Sequence, residues 1–419
     1  MVETLKDKVL KAIDRNKDLM FEDLAEIVRI PSVVGSEGKA QEWVLEKMRS
    51  IGLEVQTFEA NKQELMKHPS YVKVDWPYEG RPNVIGTLKG DPKAKSLILN
   101  GHIDVVSPEP VDQWTHDPWG AEIVGGKMYG RGTADMKAGV IANLHAVKAL
   151  VDENALPRGS ITVFSVIEEE AGGGGGTLAC LLKGYRADAM INPEPFLKVA
   201  IAHPGILYFR VKVQGKSIHA GRSHLGVNAV GKMIPIYNAL ISLDDARAKR
   251  LRFKWAEMDS GRSCNLNIGT FHAGDWPSNV AGWAAMECRI SFVPGETQGS
   301  VKKEVEELIF DAASQDRWLK DHPPQVEWFG WHANPWMQNP EDPFIKLMLK
   351  NGAEILGSEP PLVGKPAGVD TRFCSEFNIS ACAFGPQGGE IHGINEYVDL
   401  ESVVQTAKVV ALMALDWCK

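Results

Sequence analysis

Residues 96–106 read SLILNGHIDVV: a short apolar run, an asparagine and a glycine, then a histidine and an aspartate two positions apart. An apolar run bounded by turn residues predicts a strand buried on both faces, here Ser96–Asn100. Three further runs have the same character, Asn83–Leu88, Ile161–Ile167 and Ala187–Ile191, and the helical stretches Met136–Val151 and Thr177–Leu182 fall between them. Strands alternating with helices predict a layered α/β domain. Upstream, apolar residues recur at helical spacing over Leu5–Val28 and again over Trp43–Ile51, where Gly52 stops the pattern, so the chain opens as helix, loop, helix.

From about Ile206 the order becomes strand, helix, strand, strand, helix, strand: Ile206–Val213, Asn228–Leu243, Cys264–Phe271, Ala284–Phe292, Ser300–Ala313 and Gln325–Trp331. That order suits a small α+β sandwich of ferredoxin-like type, with helices on one face of an antiparallel sheet. The α/β pattern resumes at Pro343. A second domain is therefore expected at residues 204–332, inserted into a first domain made of residues 1–203 and 333–419. A chain of 419 residues also exceeds the size at which one core usually keeps growing.

The bulk chemistry excludes several classes. Hydrophobic residues make up 44% and charged residues 24% of the chain, and no apolar run approaches a bilayer-spanning length. The first twenty residues mix both charge signs and lack the apolar core of a signal peptide, so a cytoplasmic protein is expected. Cys180, Cys264, Cys288, Cys374, Cys382 and Cys418 are scattered singly, as reduced structural thiols are. A net charge of -8 with dispersed lysines and arginines offers no stripe for a nucleic-acid backbone.

Five potential metal ligands lie at or just beyond the predicted strand ends, where open α/β sheets place their sites. His102 and Asp104 close the quoted strand, and residues two apart on a strand share a side, so the carboxylate is expected beside the imidazole. Asp135, in GRGTADMKAG, precedes a helix and by itself reads as an N-cap; as a ligand, its two oxygens could hold two cations. Glu168, Glu169 and Glu170 follow the strand ITVFSVI, and enclosed carboxylates in a row repel unless a cation or shared proton compensates. On an extended chain neighbours face opposite ways, so one glutamate could ligate metal while the next moves a proton. Glu194 in INPEP and His392 in GPQGGEIHGINE follow further apolar runs; alone, Glu194 is a weak signal, and His392 also reads as a solitary surface histidine. Gly172–Gly176 suggests backbone packed against a site. Two histidines and three carboxylates make a mixed nitrogen and oxygen set suited to zinc, cobalt or manganese.

Taken together, NVIGTLKG, LNGHIDVV, WTHDPWGAEIVGGKMYGRGTADMKAG, EEEAGGGGGT, NPEP, GKSIHAG, LNIGTFHAG, RISFVPGE, GVDTRF and FGPQGGEIHGINEYV resemble the acetylornithine deacetylase and succinyl-diaminopimelate desuccinylase family, which includes carboxypeptidase G and the aminoacylases. The motifs span nearly the whole chain in the expected order. The resemblance implies a zinc-peptidase-like catalytic domain, its mixed sheet flanked by helices, and an inserted lid or dimerisation domain. It implies two divalent metals, zinc being expected and cobalt or manganese the alternatives. Asp135 would bridge them, with His102 and Glu194 completing one site and Glu170 and His392 the other. Glu169 would be the general base for a water shared by the metals, and Asp104 would support His102. The first glutamate of the triplet, Glu168, departs from the family's usual aspartate. His219, in GKSIHAG, would polarise the substrate carbonyl, often across a homodimer. Asn279, Arg289, Arg372 and Gly388 within the Gly385–Gly389 loop are substrate-side candidates.

The expected reaction is hydrolysis of an N-acyl or amide bond in a small molecule, an N-acyl amino acid first. A dipeptidase or carboxypeptidase shares the same core. The aromatic segment Ala60–Arg81 raises an aromatic or heterocyclic amide as a further substrate class. A non-catalytic metal-binding relative is the remaining alternative, and the presence of Glu169 with all five ligands weighs against it.

Overall fold

Four parallel strands fix where the chemistry sits. In the computed structural model, which describes residues 3–257 and 261–419, Ile161–Ser165, Leu97–Leu99, Ala189–Asn192 and Ser380–Ala383 lie side by side in that order, each neighbouring pair parallel. Their carboxyl ends therefore share one edge, the edge at which open α/β sheets hold ligands. The strands are almost wholly buried, as strands covered by helices on both faces must be. Antiparallel strands flank them, Asn83–Leu88 and Glu54–Phe58 on one side and Val199–His203 on the other. The sheet is mixed and the fold is α/β, as expected.

Helix Ala138–Asp152 packs against Leu400–Trp417. Both helices are buried along most of their length, which explains sequences apolar nearly all round. The single opening helix expected over Leu5–Val28 is two, Leu5–Arg15 and Lys17–Val28. Asn16 breaks it, leaving helical geometry at φ -98, ψ 11, because asparagine competes poorly in helix interiors and well at caps. The next helix, Gly38–Ile51, starts earlier than expected and ends at Gly52, whose φ of 92° is left-handed. The helix expected over Thr177–Leu182 shrinks to Ala179–Leu182, preceded by a wide turn over Gly174–Leu178.

The chain divides into two compact units. The first holds Met1–Ile201, Gln338–Val363 and Val369–Lys419, and the second Ala202–Met337 with Gly364–Gly368. The short loop Gly364–Gly368, expected in the first domain, joins the second because its glycines allow close approach. A Cβ on Gly364 would stand 1.8 Å from the Trp255 carbonyl oxygen, and one on Gly368 would stand 2.5 Å from the Trp331 ring.

The second unit is a four-stranded antiparallel sheet in the order Leu266–Ala273, Trp283–Phe292, Gly205–Gln214, Gln325–Ala333. Alternate residues Leu207, Phe209, Val211 and Val213 enter its core, following the period of two. Helix Ala229–Arg250 adds Met233, Ile236 and Leu240, and helix Gln298–Ser314 adds Val301, Val305 and Ile309 at helical spacing. Among the described residues, no helix is long and apolar enough to cross a membrane.

Phe209 is fully buried and packs its ring 5.1 Å from that of Trp328. Phe209→Ala is expected to cost about 3–5 kcal/mol, read as a lowered urea midpoint, and Phe209→Leu markedly less. Equal midpoints for the parent and the alanine variant would contradict this packing.

Candidate metal centre

His102 follows the strand Leu97–Leu99 and forms an isolated parallel bridge with Val166. Its Nδ1 faces the backbone carbonyl of Asp104 at 2.9 Å. A carbonyl only accepts, so in the neutral ring Nδ1 carries the proton and Nε2 presents a lone pair. The partner is thus the Asp104 carbonyl, and the Asp104 carboxylate expected there stands 3.6 Å from Nδ1. The strand has already ended at Leu99, so residues 102 and 104 escape its alternation. The Asp104 carboxylate instead accepts the backbone N–H groups of Glu169 at 3.1 Å and Glu170 at 3.0 Å.

Glu168, Glu169 and Glu170 do not continue as extended chain. Glu168 is left-handed at φ 69°, and Glu169–Ala171 form one tight 3-10 turn. The two reactive-side glutamates still diverge: Glu169 Oε2 lies 4.0 Å from His102 Nε2, while Glu170 Oε1 lies 3.1 Å from His392 Nε2. Glu169 Oε1 is buried without a hydrogen-bond partner among the described residues. The glycine run is packed as its composition suggested. A Cβ on Gly174 would stand 2.5 Å from the Tyr71 ring, and one on Gly175 would stand 2.3 Å from the Tyr78 ring.

Asp135 sits in a kinked turn, Thr133–Lys137, at φ -120, ψ 92. It is not the N-cap of the following helix, a position Lys137 occupies. Its Oδ1 lies 3.1 Å from His102 Nε2 and its Oδ2 lies 3.5 Å from His392 Nε2, one oxygen toward each histidine. Sequence reasoning missed the residue that holds this turn. Glu396, fully buried, accepts the N–H groups of Gly132, Ala134 and Asp135 at 3.0–3.1 Å and an Arg131 guanidinium bond at 2.5 Å. Its position in the quoted HGINEYV motif was the available signal. Lys137 anchors the turn from the other side, donating to the carbonyls of Ile27 and Ile30, and its burial lowers its pKa to about 7.

Glu194 Oε1 is 3.7 Å from His102 Nε2 and accepts from Asn192 Nδ2. His392, left-handed at φ 61°, is the exposed member of the group. Ligand atoms of His102, Asp135 and Glu170 fall within 4.8 Å of one another, as do those of His102, Glu169 and Glu194. This grouping by mutual distance differs from the paired sites that the resemblance implies.

The electrostatics of these groups suit cations among them. Burial, then the charge of Glu194, raises the pKa of Glu169 well above the carboxylate range. Burial, then Asp135, raises that of Glu170. Burial opposes a charge on His102, but the hydrogen bond to Asp135 and the charges of Asp104 and Glu169 prevail and hold its pKa well above normal. Hydrogen bonds to Asp135 and Glu170 push His392 up to about 10. Carboxylates this close cannot all ionise beside neutral imidazoles unless cations join them. The donor set of imidazole nitrogens and carboxylate oxygens suits zinc, cobalt or manganese.

The other candidates fall in both units. In the first unit, buried Arg372 donates to the carbonyls of Val369 and Gly172. Gly388 is buried too, and a Cβ there would meet that of Ala134 at 2.4 Å, so this glycine lets the loop close behind Asp135. In the second unit, His219 and Asn279 are exposed bridge partners, and His219 Nδ1 accepts from the Gly221 N–H at 3.1 Å. Arg289 donates to Asn265 Oδ1 at 3.0 Å and to the Pro366 carbonyl at 3.4 Å.

Comparison with known proteins gives four findings. The model of peptidase family M20/M25/M40 matches residues 98–416. The N-formyl-4-amino-5-aminomethyl-2-methylpyrimidine deformylase of Halalkalibacterium halodurans is 26% identical over 441 aligned residues, covering 98% of this chain and 97% of its own. The succinyl-diaminopimelate desuccinylase of Variovorax paradoxus is 25% identical over 395 residues, covering 90% and 93%. Among solved structures, human carnosine dipeptidase 1 superposes with a TM-score of 0.77 at 18% identity, covering 99% of each chain; this likeness concerns the fold alone.

Divalent cation added to chelator-stripped protein is expected to raise the melting temperature, because binding to the folded state alone adds its own free energy. Asp135→Asn is expected to abolish most of that rise. A cation-independent melting curve for the parent would contradict the centre.

Proposed function

This chain belongs to peptidase family M20/M25/M40 and is a metal-dependent hydrolase of amide bonds, and from that premise we propose that it removes a small N-acyl group from the amine of a heterocycle or an amino acid. The observation that carries the reading is Asp135, aiming one oxygen at each of two histidines beside the unpartnered Oε1 of Glu169. An N-formyl group on an aminomethyl-pyrimidine is the first substrate to try, since the name of the Halalkalibacterium relative gives that chemistry over a near full-length match.

In this reading His102, Asp135 and Glu194 would hold one divalent ion, and Asp135, Glu170 and His392 would hold the other. When bound, the ions lower the pKa of the attacking water and polarise the acyl carbonyl. Glu169 takes the proton of that water and passes it to the departing nitrogen as the C–N bond breaks, leaving a carboxylic acid and an amine. Asp104 keeps Glu169 and Glu170 in place by gripping both backbone N–H groups. His219 donates to the carbonyl oxygen as negative charge develops on it. Asn279, Arg289 and Arg372 bind further substrate oxygens, and Gly388 shapes the loop that closes behind Asp135. We assign zinc as the metal, with cobalt and manganese the competing ions, a homodimer as the assembly, and the cytoplasm as the compartment, where six free, buried cysteines stay reduced.

The test is mass-spectrometric hydrolysis by the metal-loaded protein across N-formyl, N-acetyl and N-succinyl amines, with dipeptides alongside and chelated protein as control. Chelator-sensitive deacylation is expected, and Glu169→Gln is expected to lower kcat by about 10²–10⁴-fold. Turnover of dipeptides alone would replace the deacylase with a peptidase, and a fully active Glu169→Gln protein would remove the base.

A further inference from the structure

Among the described residues Glu169 has no hydrogen bond at Oε1 to aim it, so its direction is set by the turn that carries it. Glu168 makes that turn. Its backbone is left-handed, and its carbonyl accepts the N–H groups of Ala171 at 3.2 Å and Gly173 at 2.7 Å, closing the loop on itself. Its carboxylate, fully buried, is bonded by an aromatic segment. Oε1 accepts the Tyr78 hydroxyl and the Gly175 N–H, both at 2.9 Å, and Oε2 accepts the Trp76 indole N–H at 3.2 Å. Arg81 stands 3.9 Å from Oε2 and is itself forked onto Glu37 at 2.5 and 2.7 Å.

Residues 71–78 have no regular secondary structure of their own, so these bonds and the contact with the glycine run locate them. Bonds from buried donors to a carboxylate are the stronger kind. The turn is thus gripped from two directions: Asp104 holds the N–H groups of Glu169 and Glu170, and Tyr78 with Trp76 holds the side chain of Glu168. We propose that Tyr78 and Trp76 are positioning residues for hydrolysis, acting through Glu168 to fix the aim of Glu169. The proposal rests on Glu169 being the base. It makes the aromatic segment part of the catalytic apparatus without requiring contact with the substrate.

The experiment compares Tyr78→Phe, Glu168→Asp, their double variant and Glu169→Gln, all metal-loaded, by steady-state kinetics on whichever substrate the parent hydrolyses, with metal content and melting temperature measured for each. Tyr78→Phe keeps the ring that packs on Gly175 and removes only the donor. It is expected to lower kcat about tenfold with KM changed less than about twofold, because a displaced base affects the chemical step more than binding. Glu168→Asp withdraws the carboxylate by one methylene and is expected to cost at least as much. The double variant is expected to be no worse than Glu168→Asp alone, since both changes break the same bond. Metal content is expected to match the parent throughout. If Glu169→Gln is inactive while Tyr78→Phe and Glu168→Asp turn over like the parent, the positioning role alone is wrong. Losses that are additive, or that track lost metal or lowered melting temperature, also overturn it. A fully active Glu169→Gln overturns the base and the positioning role together.

Discussion

The structure depends on bringing like charges together where water cannot separate them. Asp135, Glu169, Glu170 and Glu194 converge at the carboxyl edge of one parallel sheet, with little or no exposure of their carboxylates. Burying such a cluster is costly unless cations or protons neutralise it. The parallel register creates the convergence: strands ending at Leu99, Ser165, Asn192 and Ala383 deliver their loops to one place. A second layer of buried groups, Asp104, Glu168 and Glu396, accepts backbone N–H bonds and holds those loops. The fold stores unfavourable electrostatics in the centre and offsets it with hydrogen bonds around it.

This division explains which parts of the centre could be read from sequence. Short buried strands and the residues just past them offered His102, Asp135, the Glu168–Glu170 run, Glu194 and His392 as candidates, none decisive singly, and the separate roles of Glu169 and Glu170 came only from the resemblance of the ordered motifs to a known family. The supporting residues were harder, because their partners are distant in the chain. Glu396 clamps a turn more than 260 positions away, as the separation between it and Ala134 records, and no periodicity reports such a pairing. Strand alternation put the Asp104 carboxylate beside the imidazole, where it stands 3.6 Å from Nδ1, but gave no sign that it also accepts the Glu169 and Glu170 N–H groups. Asn16 broke a helix that apolar spacing alone made continuous, because cap competition is decided by one side chain.

The two units pose different problems for the same sequence. The candidate metal-centre residues come from two separate stretches of the first unit, Met1–Ile201 and Val369–Lys419, whereas the second unit is one nearly continuous stretch whose alternation of strands and helices gave its layout directly. Gly364–Gly368 went to the second unit through glycine contacts with Trp255 and Trp331. Close approach of backbone to an aromatic ring leaves no mark on composition, just as the packing of Tyr71 and Tyr78 on Gly174 and Gly175 becomes visible only in space.

The central claim, that Asp135 lies between two cations, is tested most directly by anomalous diffraction from crystals of the zinc-loaded protein, measured on both sides of the zinc absorption edge. The account predicts two peaks flanking the Asp135 carboxylate, one beside His102 and Glu194 and the other beside Glu170 and His392. A single peak, or peaks remote from Asp135, would contradict it.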